Sequence, residues 1–183
     1  MEVTSKELDY VREHVRQVPD FPKPGILFLD ITTATKDAKA FEISINYLFN
    51  QFKNEKVDYV AGIESRGFIY GAALAHKLGV GFIPIRKPNK LPAETIKESY
   101  SLEYGTDTIE IHADAIKEGD KVIIIDDLLA TGGTAVAACN LIKKVKGEVV
   151  AAAFIIELDP LKGRKKIEAN NVKVYSMLNY DLD

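Results

Sequence analysis

Two patterns of apolar and polar residues alternate along the chain, one typical of buried strands and the other of amphipathic helices. Short runs of mostly apolar residues predict strands at 57–63, 81–85, 121–126, 148–156 and 172–178. Apolar residues at helical spacing predict helices at 5–18, 37–53, 67–78 and 135–146, with Ser5 as the first N-cap. Strands that alternate with helices indicate an α/β fold with a central, mostly parallel sheet and right-handed crossovers. A length of 183 residues suits one domain over 1–183.

One long segment departs from both patterns. Residues 87–107 show little periodicity and contain two prolines, whereas 108–112 alternate as a short strand or flap edge. A structureless stretch of this length inside a compact domain is uncommon and is usually functional. We therefore expect a functional loop here.

The segment 121–134, KVIIIDDLLATGGT, carries the clearest chemistry. A buried strand ends in Asp126 and Asp127, and a loop of small and hydroxyl residues leads into a helix. Open α/β sheets bind ligands at this edge, and a helix N-terminus after such a loop favours a phosphate. The two carboxylates cannot bind that phosphate, so we expect hydroxyls or a metal as their partner. In the simpler alternative, Thr131 or Thr134 only caps the helix and the aspartates are solvated.

The string IIIDDLLATGGT closely resembles the phosphoribosyl-diphosphate (PRPP) motif of the type I phosphoribosyltransferases, in the form carried by adenine phosphoribosyltransferases. Similar segments follow in the family's order: PDFPKPGILFLDIT, AGIESRGFIYG, IRKPNKLPAET, SYSLEYG and IELDPLKGRKK. The resemblance covers nearly the whole chain. It implies the type I phosphoribosyltransferase fold, with a small N-terminal hood mainly from residues 1–36 and a flexible catalytic loop at about 87–112.

The resemblance also implies a site for each part of PRPP. Asp126 and Asp127 would bind the ribose hydroxyls and stabilise an oxocarbenium-like transition state. The loop that would bind the 5-phosphate consists of Ala130, Thr131, Gly132, Gly133 and Thr134. The residues that would bind the diphosphate are Ser65, Arg66, Arg86, Lys87 and Lys90. Any one of these cations, taken alone, is more simply a solvated surface charge. The family typically has a non-proline cis peptide near Glu64-Ser65.

Glu103 in SLEYG matches the family's catalytic glutamate, which accepts the N7 hydrogen of the base. Without the surrounding motif it would be an exposed loop acid. Tyr104 would help to shape the closed loop, which excludes water as a competing nucleophile. Relatives that use hypoxanthine or guanine place an aspartate at the position of Ala130, so the alanine favours adenine.

The base pocket implied by the resemblance lies in the hood. The main chain of Leu27 and Leu29 would read the base, although many relatives have arginine where this chain has Leu29. Phe28 is a candidate stacking or wall residue, and plain core packing is an equally good interpretation. The implied activity is purine salvage: adenine and PRPP give AMP and diphosphate, with Mg²⁺ held mainly by PRPP and without a direct protein ligand.

Composition and charge argue against some classes of function. The net charge of −3 gives no basic field for nucleic acid, and no stretch suits a membrane span or a signal peptide. Cys139 is the only cysteine, so we expect a reducing, cytoplasmic setting.

The resemblance also implies a homodimer in which the partner covers the basic loop near Arg86. Two other functions stay open: a regulator that binds PRPP without transfer, and an enzyme for xanthine or guanine.

Overall fold

The computed structural model of the chain describes residues 2–102 and 105–181. The N-terminal part consists of a helix, a two-stranded antiparallel hairpin and a second, short helix. These elements are α1 (Ser5–His14), β1 (Arg16–Pro19), β2 (Leu27–Asp30) and α2 (Thr32–Lys36). They account for most of the segment expected to form the hood.

The first helix differs from its prediction at both ends. Thr4, rather than Ser5, is the N-cap, because its side chain accepts from the Glu7 amide while the Glu7 carboxylate accepts from the Thr4 amide. The helix ends at His14, and Val18 lies in β1. The helix was predicted too long because the spacing of apolar residues by three to four positions continues past its end into the strand.

A sheet of five parallel strands forms the centre of the domain, in the spatial order β4-β3-β7-β8-β9. The elements that precede the long hairpin are α3 (Ala38–Phe52), β3 (Tyr59–Ile63), α4 (Gly67–Leu78) and β4 (Gly81–Ile85). The hairpin strands are β5 (Thr95–Leu102) and β6 (Gly105–His112). The remaining elements are β7 (Lys121–Leu129), α5 (Gly133–Lys144), β8 (Glu148–Leu158), α6 (Gly163–Glu168) and β9 (Lys173–Tyr180). The predicted α/β fold with a central parallel sheet is confirmed.

Strand β7 is buried on both faces, as its continuous apolar run predicts. Ile123 and Ile125 pack in the core layer that contains α1, α3 and α4. Ile124 faces the opposite layer, which contains α5, α6 and residues of β6. The helices therefore cover both faces of the sheet.

The segment predicted as a loop contains an antiparallel hairpin, in which β5 pairs with β6. Strand β5 does alternate, because Ile96, Glu98 and Tyr100 are partly buried while Lys97 and Ser99 are exposed. The pattern is concealed in the sequence because the middle inward residue, Glu98, is charged. Along the described part of the chain, no helix has the length and apolar character needed to cross a membrane.

Candidate active site

The site lies where the strand order of the sheet reverses. The chain leaves β3 through α4 to β4 on one side, and leaves β7 through α5 to β8 on the other. Because β3 and β7 are neighbours, their carboxyl ends and the helices that follow them diverge around a crevice. Such a switch point is the preferred ligand site of an open α/β sheet.

A cavity of about 200 Å³ occupies this crevice. Its walls include Arg66 after β3, both aspartates of β7 and the loop 130–134. The structure therefore brings together the residues expected to bind the 5-phosphate and the ribose. It adds Arg66, one of the cations expected to bind the diphosphate. The side chain of Phe154 in β8 adds an apolar surface that the sequence did not indicate.

The loop 130–134 leads directly into α5. Gly132 has a positive φ of 78° and is the N-cap, a conformation that glycine adopts without steric cost. Among the described residues no side chain caps this helix start. The amide groups of the first turn, which have no partner inside a helix, therefore remain for a ligand. Together with the helix dipole they form an anion site.

The two carboxylates that precede this loop have different surroundings. Asp127 is only 5% exposed and accepts a charge-assisted hydrogen bond from Nε of Arg66. Burial, together with the charge of Asp127, raises the pKa of Asp126 well above its usual value. The Asp126 side chain accepts from the Asp127 amide at 2.9 Å and reaches the cavity. Both carboxylates therefore line the same cavity as the anion site.

Gly67, the first residue of α4, explains how Arg66 reaches Asp127. A Cβ atom at Gly67 would lie 2.6 Å from the Ile125 carbonyl oxygen and 3.2 Å from Cα of Asp126. Only glycine lets the start of α4 approach the end of β7 this closely. The contact sets the guanidinium of Arg66 beside the carboxylates.

Two of the other predicted cations, Arg86 and Lys87, also have carboxylate partners. Arg86 donates from Nε and Nη2 to the two oxygens of Glu64, each at 3.2 Å, and the Lys87 amide donates to Glu64 at 2.8 Å. The hydrogen bonds from Arg86 lower the pKa of Glu64. The Lys87 ammonium contacts Asp107 in β6, and this contact lowers the pKa of Asp107. The carbonyl of Lys90 accepts from Arg86 at 3.2 Å.

These partners are functional candidates that sequence reasoning missed. Glu64 directly follows β3 and belongs to the quoted ESRG segment, so its position was the available signal. Asp107 gave no such signal, because its pairing with Lys87 depends on how the hairpin packs on the sheet. The expected cis peptide at Glu64–Ser65 is present, and Ser65 is exposed.

Comparison with known proteins identifies the family. Residues 32–181 match the family model of the phosphoribosyl transferase domain. The adenine phosphoribosyltransferase of Escherichia coli O157:H7 (strain EC4115) is 51% identical over 180 residues, which cover 98% of each chain. This chain belongs to the adenine phosphoribosyltransferase family.

Solved structures of adenine phosphoribosyltransferases share the whole architecture. The enzyme from Rhodothermus marinus has a TM-score of 0.91 at 49% identity, covering 97% of this chain and 100% of its own. The enzyme from Saccharomyces cerevisiae, in complex with an imino-altritol bisphosphate and adenine, has a TM-score of 0.89 at 41% identity, covering 96% and 100%. The type I phosphoribosyltransferase fold is thereby confirmed.

The two matches differ at the N-terminal end of the chain. The domain model begins at residue 32, whereas the match to the E. coli adenine phosphoribosyltransferase spans nearly the whole chain. In the segment expected to form the hood, Leu29 is buried in the core and Leu27 packs against it. Phe28 is partly buried and meets Phe21 edge to face at a centroid distance of 5.2 Å. The predicted pocket residues therefore lie together on β2.

The predicted catalytic residue Glu103 and its neighbour Tyr104 lie outside the described residues. The strands on either side of them are described, and β5 packs against α5. Glu98 accepts from Nδ2 of Asn140 at 3.0 Å and pairs with the ammonium of Lys144. Strand β5, which precedes residues 103 and 104 in the sequence, thus packs against the helix whose first turn borders the cavity.

Proposed function

We propose that this adenine phosphoribosyltransferase transfers the 5-phosphoribosyl group of PRPP to N9 of adenine at the switch-point cavity, releasing AMP and diphosphate. N9 forms a bond to C1 of the ribose as the bond from C1 to the diphosphate oxygen breaks. The observation that carries this proposal is the placement of an anion site, two carboxylates and a cation around one cavity. The reaction salvages a free purine base.

The 5-phosphate would bind loop 130–134, where the first-turn amides of α5 and two threonine hydroxyls are donors. The ribose would then extend toward Asp126 and Asp127, which line the same cavity. Their oxygens accept from the ribose hydroxyls, and their negative charge stabilises the positive charge that develops on the ring in the transition state. The position of the loop beside the carboxylates supports this assignment.

The diphosphate would bind Ser65 and the cations that follow β3 and β4. Arg66 pairs with Asp127, and Arg86 pairs with Glu64. These carboxylates hold the guanidinium groups in fixed positions. Arg66, which is 44% exposed, and the exposed Lys87 can then bind phosphate oxygens without a large rearrangement.

Adenine would bind at the free edge of β2. Pro19 pairs with Leu27 but has no N–H, so this pair cannot exchange both hydrogen bonds of the ladder. In an antiparallel ladder, pairs that exchange hydrogen bonds alternate with pairs that do not. The main-chain groups of Leu27 and Leu29 are therefore expected to point away from β1, toward the free edge. Recognition by the main chain does not require the arginine that many relatives have at position 29, and Phe28 would supply an apolar wall.

Glu103 would accept the hydrogen on N7 of adenine while N9 attacks, and Tyr104 would help to close the flexible loop. Acceptance of this hydrogen disperses the positive charge that builds on the ring. Closure of the loop would exclude water, which otherwise hydrolyses PRPP. The hairpin strands that flank these residues and the docking of Glu98 on α5 support a loop that closes over the cavity.

Mg²⁺ would enter with PRPP. The Arg66–Asp127 ion pair supports this expectation, because it already engages one of the two carboxylates of the site. Mg²⁺ commonly retains waters and binds through substrate phosphates. Bound in this way, it would neutralise the departing diphosphate.

Removal of divalent metal should therefore abolish turnover without changing the folded protein. We expect EDTA to stop AMP formation and added MgCl₂ to restore it. The melting temperature of the protein without PRPP should stay the same with and without EDTA. A lower melting temperature in EDTA alone would contradict the proposal and indicate a resident structural metal.

The function itself is tested by incubating the protein with PRPP, MgCl₂ and one base at a time. We expect AMP from adenine and far less product from guanine, hypoxanthine or xanthine. Binding of PRPP without any product would identify a regulator, and product from xanthine or guanine would identify the related enzyme class. A mixture of all bases, with products separated by chromatography, compares them under the same conditions.

The expected assembly is a cytoplasmic homodimer whose partner covers the region of Arg86. The exposed side chain of Ile69, in the first turn of α4, and the Phe68 ring beside the Arg86 guanidinium support an interface near this point. Light scattering after size exclusion should give a mass of two chains of 20.3 kDa each. A mass of one chain would overturn the assembly but not the reaction.

A further inference from the structure

The turn after β8 touches the loop expected to bind the 5-phosphate. Gly163 begins α6, and a Cβ atom there would lie 2.2 Å from the Ala130 carbonyl oxygen and 2.9 Å from the Gly132 amide nitrogen. In the opposite direction, a Cβ atom at Gly132 would lie 2.7 Å from the Gly163 carbonyl oxygen. Both neighbours are backbone, which cannot rotate away as a flexible side chain can. Two glycines from separate loops thus form a backbone-to-backbone contact.

An ion pair holds this turn in place. Arg164, next to Gly163, donates from Nε to Glu157 at 3.0 Å and from Nη2 to the other oxygen of the same carboxylate. Its Nη1 donates to the Val174 carbonyl at 2.7 Å, and its Nη2 also donates to Oγ of Ser176 at 3.2 Å. The Glu157 side chain is 5% exposed. A forked and largely desolvated pair of this kind has a well-defined geometry.

The same pair is linked to the loop through the sheet. Glu157 lies in β8 opposite Leu129, the last residue of β7 before Ala130. Glu157 also lies opposite Asn179 in β9. Arg164 therefore connects the carboxyl end of β8 and the first half of β9 to a turn that contacts the loop after β7. Two of these contacts, through Leu129 and through Gly163, lie immediately beside the loop 130–134.

We propose that Gly163 and the Glu157–Arg164 pair are positioning residues for the 5-phosphate of PRPP. They hold the backbone of the loop 130–134 in the shape that directs its amides at the phosphate, and they do not touch the substrate. This inference rests on the proposed function, since it takes that loop as the phosphate site. It assigns a role to the IELDPLKGRKK segment, which none of the substrate-binding assignments uses.

The first test is Gly163→Ala with Gly147→Ala as its matched control. A Cβ atom at Gly147 would also be crowded, at 2.9 Å from Cγ2 of Ile142, but Gly147 follows the carboxyl end of α5, whereas the loop 130–134 lies at the amino end of that helix. We expect Gly163→Ala to raise KM for PRPP on the order of 10- to 100-fold, with KM for adenine within about twofold. Gly147→Ala should leave the ratio of the two KM values unchanged.

The second test is Arg164→Lys, which keeps the charge but cannot fork to both oxygens of Glu157 while also donating to Val174. It should raise KM for PRPP selectively and weaken the binding of ribose 5-phosphate measured by calorimetry. If Gly163→Ala does not fold, Arg164→Lys tests the same proposal by itself. A folded variant with unchanged KM for PRPP, or an equal rise of KM for both substrates, would overturn the inference. Absence of AMP formation by the wild-type protein would instead overturn the proposed function.

Discussion

Replacing Glu103 by glutamine is expected to lower kcat by about 10²- to 10⁴-fold while KM for PRPP stays within about twofold. The amide has nearly the size of the carboxylate but no negative charge, so it cannot stabilise the charge that builds on adenine as N9 attacks. PRPP binding would persist, because the phosphate loop, the aspartates and the cations lie on other elements. The effect should therefore fall on the chemical step.

Steady-state kinetics with each substrate varied in turn would measure this effect. Glu94→Gln is a suitable control, because Glu94 is an exposed acid in the same region of the chain. It should change kcat by no more than about twofold, as expected of a surface position away from the chemistry. Unchanged kcat in Glu103→Gln would remove the basis for assigning Glu103 as the catalytic residue. A large rise in KM for PRPP would place Glu103 with the diphosphate instead.

Replacing Asp126 by asparagine should stabilise the protein and inactivate it. The Asp126 carboxylate is partly buried and lies next to Asp127, and both factors raise its pKa in the folded state. Asparagine can still accept the hydrogen bond from the Asp127 amide but removes one of two neighbouring negative charges. We expect a gain of roughly 0.5–2 kcal/mol in the free energy of unfolding at neutral pH, or a few degrees in melting temperature.

The pH dependence of this gain in unfolding free energy follows from the direction in which the pKa of Asp126 is shifted. A carboxyl group with a raised pKa in the folded state binds its proton more tightly there than in the unfolded chain. Its contribution to stability is therefore complete below the unfolded value, near 3.8, and is lost as pH rises through the folded pKa. The wild-type protein thus loses stability over that window and the asparagine variant does not. The difference in melting temperature should be smallest near pH 4 and larger at neutral pH.

Calorimetry across this pH range, together with AMP formation at neutral pH, tests both halves of the prediction. Turnover should fall on the order of 10²-fold or more, because the neutral amide cannot stabilise the positive ribose ring. Asp114→Asn is the control, since Asp114 is exposed, and its melting temperature should follow the wild-type protein at every pH. A destabilised Asp126→Asn variant at neutral pH, or one with wild-type turnover, would contradict the account of this carboxylate pair.

Local features of the chain predicted the strand–loop–helix unit from 121 to 144 well. A continuous apolar run must be buried on both faces, and two acids followed by small residues mark its end, so neither feature depends on distant contacts. The hairpin 95–112 was harder to predict, because the inward-facing Glu98 finds its partners Asn140 and Lys144 on another element. A charge in the buried row conceals the alternation that identifies a strand.

The sequence by itself determined the fold class, the family resemblance and the residues around the expected phosphate and ribose sites, because these are properties of short continuous segments. Only the tertiary structure decided which charges meet: Arg66 with Asp127, Lys87 with Asp107 and Arg164 with Glu157. Ion pairs join residues that are distant in sequence, and their energies depend on distance and burial, which no local pattern encodes. For the same reason, the contact between Gly132 and Gly163 became visible only when two loops of the folded chain were seen side by side.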